Sequence, residues 1–124
     1  MLESNGYIFD QKLVRSGALL HDIARLQRHH AKTGGELFLQ LGYPEISQII
    51  SQHHGLLEAT LDEAAIVFLA DKLIQETQRV TIEKSFADSM SKCKSPEARK
   101  AHEQQLEQAR KLQDIIQSLC HITL

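Results

Sequence analysis

The chain has 124 residues and a mass of 14.0 kDa, which fits one domain and leaves little room for a second core. Its 42% hydrophobic and 24% charged residues, with a mean hydropathy of −0.28, exclude intrinsic disorder. The net charge is −2 without a long block of one sign, so nothing drives non-specific nucleic-acid binding. No apolar run approaches the roughly 20 residues of a membrane span. We expect a cytoplasmic protein with one domain over residues 1–124 and no membrane contact.

The composition also predicts the fold class. Two prolines, six glycines, no tryptophan and many strong helix formers favour helix over sheet. We therefore expect a compact all-α bundle of about five to six helices. Cys93 and Cys120 match no disulfide framework or zinc-binding spacing, and reduced thiols are the default. The unusual feature is the presence of seven histidines, four of them in the adjacent pairs His29-His30 and His53-His54.

Three helices are predicted in the first half of the chain. Asp10 is placed to cap a helix from Gln11 to about Arg28, whose apolar stripe contains Leu13, Gly17, Leu20 and Ala24. A second helix is expected from about His30 to Leu41, and its glycines at 34 and 35 suggest close backbone packing. Pro44 begins a short third helix, with His53 and His54 on its last turn and Gly55 as the stop.

Three further helices are predicted in the second half. Thr60 and Glu63 have the spacing of a capping box ahead of AAIVFLADKLIQE, a segment apolar on nearly every side and therefore expected in the core. A weaker helix follows from Thr81 to Lys92. Ser95 then starts a long final helix, whose apolar stripe contains Ala109, Leu112, Ile116 and Leu119.

Asp71 is the residue whose position is hardest to explain by folding alone. It shares a row of the most apolar helix with Ala64, Val67 and Ile74. A buried carboxylate must be neutral, hydrogen-bonded, paired with Lys or Arg, or bound to a metal ion. For an isolated Asp, an ion pair or an interior hydrogen bond is the commoner solution.

The combination of residues favours a metal centre. Side chains of metal-ligating type lie on or beside the apolar faces of successive predicted helices, in the order His21, Asp22, His30, His53, His54 and Asp71. Each one alone has a commoner structural role, but together five or six ligands could converge. Imidazole and carboxylate suit Mn, Fe, Co, Ni or Zn and match Mg poorly. One or two ions are possible, with Asp22 as the bridge.

Three segments, in this order and spacing, resemble the HD-domain metal-dependent phosphohydrolase superfamily: GALLHDIAR, HAKTGGELFLQLGYPEISQIISQHHG and IVFLADKLI. The resemblance covers about residues 13–74. The continuation QRVTIEKSFADSM and the Gln-rich last helix are similar to HD domains that some bacteria fuse behind a molybdenum-cofactor-type nucleotidyltransferase domain. The resemblance implies that His21 and Asp22 are the HD pair and Asp71 the closing aspartate. It identifies His30, His53 and His54 with the extra histidines of the two-metal members.

One departure from the family pattern affects the first metal position. Family members carry a further metal-binding histidine on a helix upstream of the HD pair, and no histidine precedes His21 here. We therefore expect a domain truncated at its N-terminal side, a partner that supplies the helix, or a weak first position held by His21 and Asp71. The resemblance supports most directly a second position, formed by Asp22, His30, His53 and His54.

The resemblance implies a hydrolase in which a metal-activated water cleaves a phosphomonoester or phosphodiester, with nucleotides among the candidate substrates. Asp22 would orient the water, and Arg25 or Lys72 would bind a phosphoryl oxygen, although a surface role suits either cation equally well. The alternative is a catalytically impaired HD domain that binds metal or nucleotide and regulates a partner. A third reading is a purely structural helical domain.

The missing upstream helix also bears on association. Without it, we expect uncovered apolar surface near Leu13, Leu20 and Ala24. The sequence therefore predicts a homo-oligomer, or packing against the missing N-terminal segment.

Overall fold

The computed structural model describes residues 8–58, 60–121 and 124. This part of the chain contains six α-helices, which confirms the predicted all-α bundle: α1 (Gln11–Leu20), α2 (His30–Gln40), α3 (Pro44–Gln52), α4 (Glu63–Lys72), α5 (Ile82–Met90) and α6 (Pro96–Cys120). Two short antiparallel strands, β1 (Ile74–Gln75) and β2 (Gln78–Arg79), form a hairpin between α4 and α5. Within the described residues, no helix has both the length and the apolar character needed to cross a bilayer.

The core is built around α4, which contacts α1, α3, α5 and α6. Five of its ten residues are buried, on several sides of the helix, as its composition predicts. Phe68 of α4 is fully buried together with Ile82 of α5 and Leu112 of α6. Because α4 is enclosed in this way, the position of Asp71 near its C-terminal end is set by packing on several helices.

The helix starts follow the predicted caps at Asp10 and Ser95, whose side chains accept hydrogen bonds from backbone amides three residues on. The predicted capping box at Thr60 is wrong, because Asp62 caps α4 by accepting from the amide of Ala65 at 2.8 Å. Glu63 instead accepts a hydrogen bond from the backbone amide of Asp10 at 3.0 Å. It thereby ties the start of α1 to the start of α4.

Two predicted helices end earlier in the structure. Helix α1 stops at Leu20 rather than near Arg28, and turns with hydrogen bonds between residues three apart fill the segment up to α2. Helix α4 stops at Lys72, and the hairpin replaces the predicted extension to Glu76, which has a positive φ of 54° at the turn. The polar run from Gln75 to Arg79 offers no apolar side chain that could keep a further helical turn on the core.

The distribution of apolar surface also differs from the prediction. Ala24 is buried and Leu13 packs against the core, so the surface expected there is largely covered. Leu19 and Leu26 are instead the strongly exposed residues of this region, and Leu26 is 97% exposed. The homo-oligomer remains a prediction.

Close backbone packing, which the sequence predicts at Gly34 and Gly35, is confirmed and also occurs at Gly17. A Cβ on Gly34 would lie 2.9 Å from Cγ2 of Ile50 in α3. A Cβ on Gly17 would lie 2.7 and 2.8 Å from two carbon atoms of Ile49, a residue of the core. Glycine is therefore required where α1 and α2 meet α3.

We predict that Gly17→Ala destabilises the fold. Ile49 is buried and must shift to admit the methyl group, so we expect a loss of about 1–3 kcal/mol, reduced by the higher helix propensity of alanine. Urea unfolding followed by circular dichroism measures the change. Arg15→Ala, at an exposed position of the same helix, is the control and should change stability by less than about 0.5 kcal/mol. Equal stability of Gly17→Ala and the unsubstituted protein would contradict the prediction.

Candidate metal centre

The six residues that the sequence proposes as metal ligands lie in one cluster. They come from the ends of four helices: His21 caps the C-terminus of α1, His53 caps that of α3, and His30 begins α2. Asp22 and His54 directly follow the two capping histidines, and Asp71 is in the last turn of α4. Packing of these four helices therefore brings together residues that are up to 50 positions apart in sequence.

Asp22 lies between the histidines. Its Oδ1 atom is 3.4 Å from Nε2 of His30 and 3.5 Å from Nε2 of His53. Its Oδ2 atom is 3.5 Å from Nε2 of His21. The same His21 nitrogen lies 3.3 Å from Oδ1 of Asp71, so both aspartates face one imidazole. This is the arrangement that a bridging role for Asp22 requires.

Two overlapping groups of side chains have ligand atoms within 4.8 Å of one another. One consists of His30, His53 and His54, and the other of His21, Asp22 and His53. The rings of the first group are in direct contact, with centroid distances of 4.4 Å for His30 and His54 and 4.2 Å for His53 and His54. His53 can serve only one of the groups at a time through Nε2, whereas Asp22 presents one oxygen to His30 and His53 and the other to His21, so it is the residue that two adjacent ions could share.

The tautomers of two histidines are fixed by backbone carbonyls. Nδ1 of His21 lies 2.6 Å from the carbonyl oxygen of Ala18, and Nδ1 of His53 lies 2.6 Å from that of Ile50. A carbonyl only accepts, so each Nδ1 carries the hydrogen and donates it. In the neutral ring, Nε2 then presents a lone pair to the cluster. Metal-binding histidines are commonly oriented by such a bond on the other ring nitrogen.

His53 provides a test of whether these residues fit a metal ion. Its side chain is 1% exposed, and its Nε2 has no hydrogen-bond partner among the described residues. This lone pair faces a carboxylate oxygen of Asp22, so two acceptors oppose each other unless a proton or a cation lies between them. Nitrogen and carboxylate ligands suit a divalent transition ion. The residues present therefore fit such an ion.

The ionisation of the cluster follows from its contacts. The hydrogen bond with Asp71 raises the pKa of His21 and outweighs burial, which lowers it. Burial raises the pKa of Asp71, but the hydrogen bond from His21 and the charge of Lys72 more than offset it and leave the pKa well below its usual range. Asp71 is thus a carboxylate at neutral pH, although its side chain is 33% exposed rather than buried as predicted.

Burial lowers the pKa of His53, and the charge of His21 acts in the same direction. His54 is exposed overall, yet desolvation by the atoms around its ring lowers its pKa, and the neighbouring His53 and Lys72 add to the effect. Both rings are therefore neutral at pH 7. Neutral imidazole is the form that binds metal ions.

The two cations proposed from the sequence differ in their surroundings. The Lys72 ammonium is 3.2 Å from Oδ2 of Asp71, donates to the His53 carbonyl at 3.1 Å and lies 5.0 Å from the Phe68 ring centroid. Its side chain is only 12% exposed. The side chain of Arg25 is exposed, and no ion pair ties it to the described residues. Lys72 is thus held in place, whereas Arg25 is available to a ligand.

An open cavity of about 1020 Å³ adjoins the cluster. Arg25, His54, Asp71 and Lys72 line one side of it, and the hairpin, α5 and α6 line the other. His102 of α6, which the sequence analysis did not single out, also lies in this wall, and its Nδ1 is 3.4 Å from the sulfur of Cys93. The helical spacing indicates that His102 faces inward, because it precedes buried Ala109 by seven residues and shares its helical face.

Fold and site together define a class: a helical domain in which a His-Asp pair meets further histidines and an aspartate from a later helix. The family model described as HD domain matches residues 1–75, more than half of the chain, and the chain belongs to this family. The likeness to domains fused to nucleotidyltransferases remains a prediction.

A curated relative is similar to part of the chain. It is the uncharacterized protein MJ0778 of Methanocaldococcus jannaschii, which is 37% identical in an alignment that covers 66% of this chain and 60% of the relative. The chain thus spans about 60% of the length of the relative that it matches. No solved structure gives a significant match.

We predict that a divalent ion such as Co²⁺ or Mn²⁺ raises the thermal stability of the protein through this cluster. At an ion concentration 100 times the dissociation constant, the gain is about 2.7 kcal/mol. His30→Gln should lose most of it, because His30 contacts Asp22 and His54. His29→Gln is the matched control, since His29 directly precedes His30 and its own side chain is exposed. Thermal unfolding with and without the ion measures the effect, and equal shifts in the two variants would contradict it.

Proposed function

We propose that this domain is a metal-dependent phosphohydrolase that cleaves a phosphomonoester or phosphodiester, with nucleotides among its substrates. The observation that carries the proposal is the buried Nε2 of His53, which lacks a hydrogen-bond partner among the described residues and is shared by two ligand groups beside a large cavity. Membership of the HD-domain family supports the same activity.

The metal-holding residues follow from the two groups. His30, His53 and His54 would hold one divalent ion, and His21, Asp22 and Asp71 would hold the other, because the single free lone pair of His53 can bind only one ion. When bound, such ions polarise a phosphoryl oxygen and lower the pKa of a bound water. The chain itself determines where the substrate lies and how the water is oriented.

Asp22 is the residue best placed to orient the attacking water. Its carboxylate is 45% exposed, so it reaches solvent while its two oxygens contact three histidines. It can therefore accept a hydrogen bond from a water at the cavity side of the cluster and direct the oxygen lone pair toward phosphorus. Asp71 is less suited to this role, because its oxygens are engaged by His21 and Lys72.

Arg25 and Lys72 would have different roles. Arg25 lines the cavity with an exposed guanidinium and would bind a phosphoryl oxygen of the substrate. Lys72 would keep Asp71 and the backbone of His53 in position. The cavity volume of about 1020 Å³ has room for a leaving group as large as a nucleoside between the cluster and α6.

Asp22→Asn tests the proposed chemistry. The amide keeps the volume but loses a metal-ligating charge, so we expect kcat/KM to fall by about 100-fold or more, equivalent to about 2.7 kcal/mol. The assay uses aryl phosphates and nucleotides with Mn²⁺, Fe²⁺, Co²⁺ or Ni²⁺. Asp114→Asn, an exposed position on α6, is the control. Turnover unaffected by Asp22→Asn would refute the proposal, and metal binding without turnover would favour the regulatory module.

Arg25→Ala tests substrate binding. If Arg25 donates to a phosphoryl oxygen, its loss should raise KM about tenfold and leave metal binding unchanged, because Arg25 lies outside both ligand groups. Steady-state kinetics and a metal titration measure the two quantities separately. Arg28→Ala, an exposed arginine three residues further along, is the matched control. A normal KM for Arg25→Ala would exclude this role.

A further inference from the structure

The loop that carries His54 is held by a residue of the last helix. Residues 53–58 lie between α3 and α4 outside any helix or strand, so their backbone polar groups need other partners. Helix α3 supplies some of them: the carbonyl of Gln52 accepts from the amide of Gly55 at 3.1 Å, and its Oε1 accepts from the amide of Leu57 at 3.1 Å.

The side-chain amide of Gln108 in α6 bonds to both backbone polar groups of Leu56. Its Oε1 accepts from the amide of Leu56 at 3.1 Å, and its Nε2 donates to the carbonyl of Leu56 at 2.7 Å. One side-chain amide thus replaces the two bonds that a neighbouring strand would make. Because 52 residues separate the partners, this contact fixes the loop relative to a distant part of the chain.

The position of Gln108 is itself fixed by packing. Its neighbour Ala109 and the following Leu112 are fully buried, so the register of α6 against the core allows little movement of Gln108. Leu56 is also buried in the core cluster. The two hydrogen bonds between the Gln108 side chain and Leu56, called the clamp below, therefore join two backbone segments that are both held by the core.

The clamp acts more strongly on His54 than on His53. The ring of His53 bonds to Ile50 within α3, and its carbonyl accepts from Lys72. His54 follows this anchored residue and precedes Gly55, so its direction depends on the path of the loop toward Leu56. Of the two ligand groups found among the described residues, His54 belongs to the one with His30 and His53 and not to the one with His21 and Asp22.

We propose that Gln108 is a positioning residue, which fixes the loop of residues 53–56 and so orients His54 in one of the two ligand groups. The statement about the loop stands on the hydrogen bonds alone, and the statement about metal binding rests on the proposed function. Gln108 lies outside the segment matched by the family model, residues 1–75.

The test uses Gln108→Met, which keeps the side-chain length and removes both hydrogen bonds. Without metal, we expect the exchange rate of the Leu56 amide hydrogen, measured by NMR, to rise at least about tenfold. In a Zn²⁺ titration followed by the ring ¹⁵N resonances, the affinity reported by His54 should fall about 10- to 100-fold, while that reported by His21 changes much less. Gln104→Met, at an exposed position of the same helix, is the control.

Gln108→Glu keeps the acceptor for the Leu56 amide but places a second carboxylate oxygen against the Leu56 carbonyl, so its effects should be at least as large as those of Gln108→Met. It also serves as the test if Gln108→Met does not fold. Unchanged Leu56 exchange, or equal losses at His54 and His21, would overturn the proposal. If His54 of the unsubstituted protein does not respond to Zn²⁺, the proposed metal centre is wrong, and hydrogen exchange alone decides the role of Gln108.

Discussion

The hydrogen bond from a histidine ring to the carbonyl three residues earlier is the interaction on which the site depends. It occurs at His21 with Ala18 and at His53 with Ile50, and in both cases the histidine is the C-cap of its helix. In a continuing helix, that carbonyl would accept from the amide four residues on. The ring takes up this acceptor where the helix stops, and the same bond directs Nε2 into the cluster. At both histidines, the end of the helix and the orientation of the ligand therefore coincide.

Electrostatic balance in the cluster follows from this orientation. Two imidazole lone pairs and two carboxylates converge, and the hydrogen bond with Asp71 raises the pKa of His21. Lys72 provides a fixed positive charge on one side, where it keeps Asp71 ionised. The side of Asp22 open to solvent has no comparable cation among the described residues in contact with it. A divalent ion bound there would supply this positive charge.

The sequence predicted the parts of this structure that depend on local pattern. Apolar spacing located all six helices, and the ordered series from His21 to Asp71 predicted which side chains would meet. The end of α1 was missed, because the apolar pattern continues to Ala24, which is buried although the helix ends at Leu20. Gln108 was missed for another reason: its partner Leu56 is set by how α6 packs, and nothing in the sequence around Gln108 indicates it. The metal-binding and catalytic roles of the assembled residues remain predictions.

The cavity has walls of different origin. One wall is formed by Arg25 in the turns after α1, His54 after α3, and Asp71 and Lys72 of α4, all within the matched residues 1–75, and the hairpin, α5 and α6 contribute much of the other. Substitutions at positions such as Gln78, Lys92 or Gln105 would change the shape and charge of the cavity without altering any residue of the cluster. The two walls can thus change independently of each other, since different stretches of the chain form most of each.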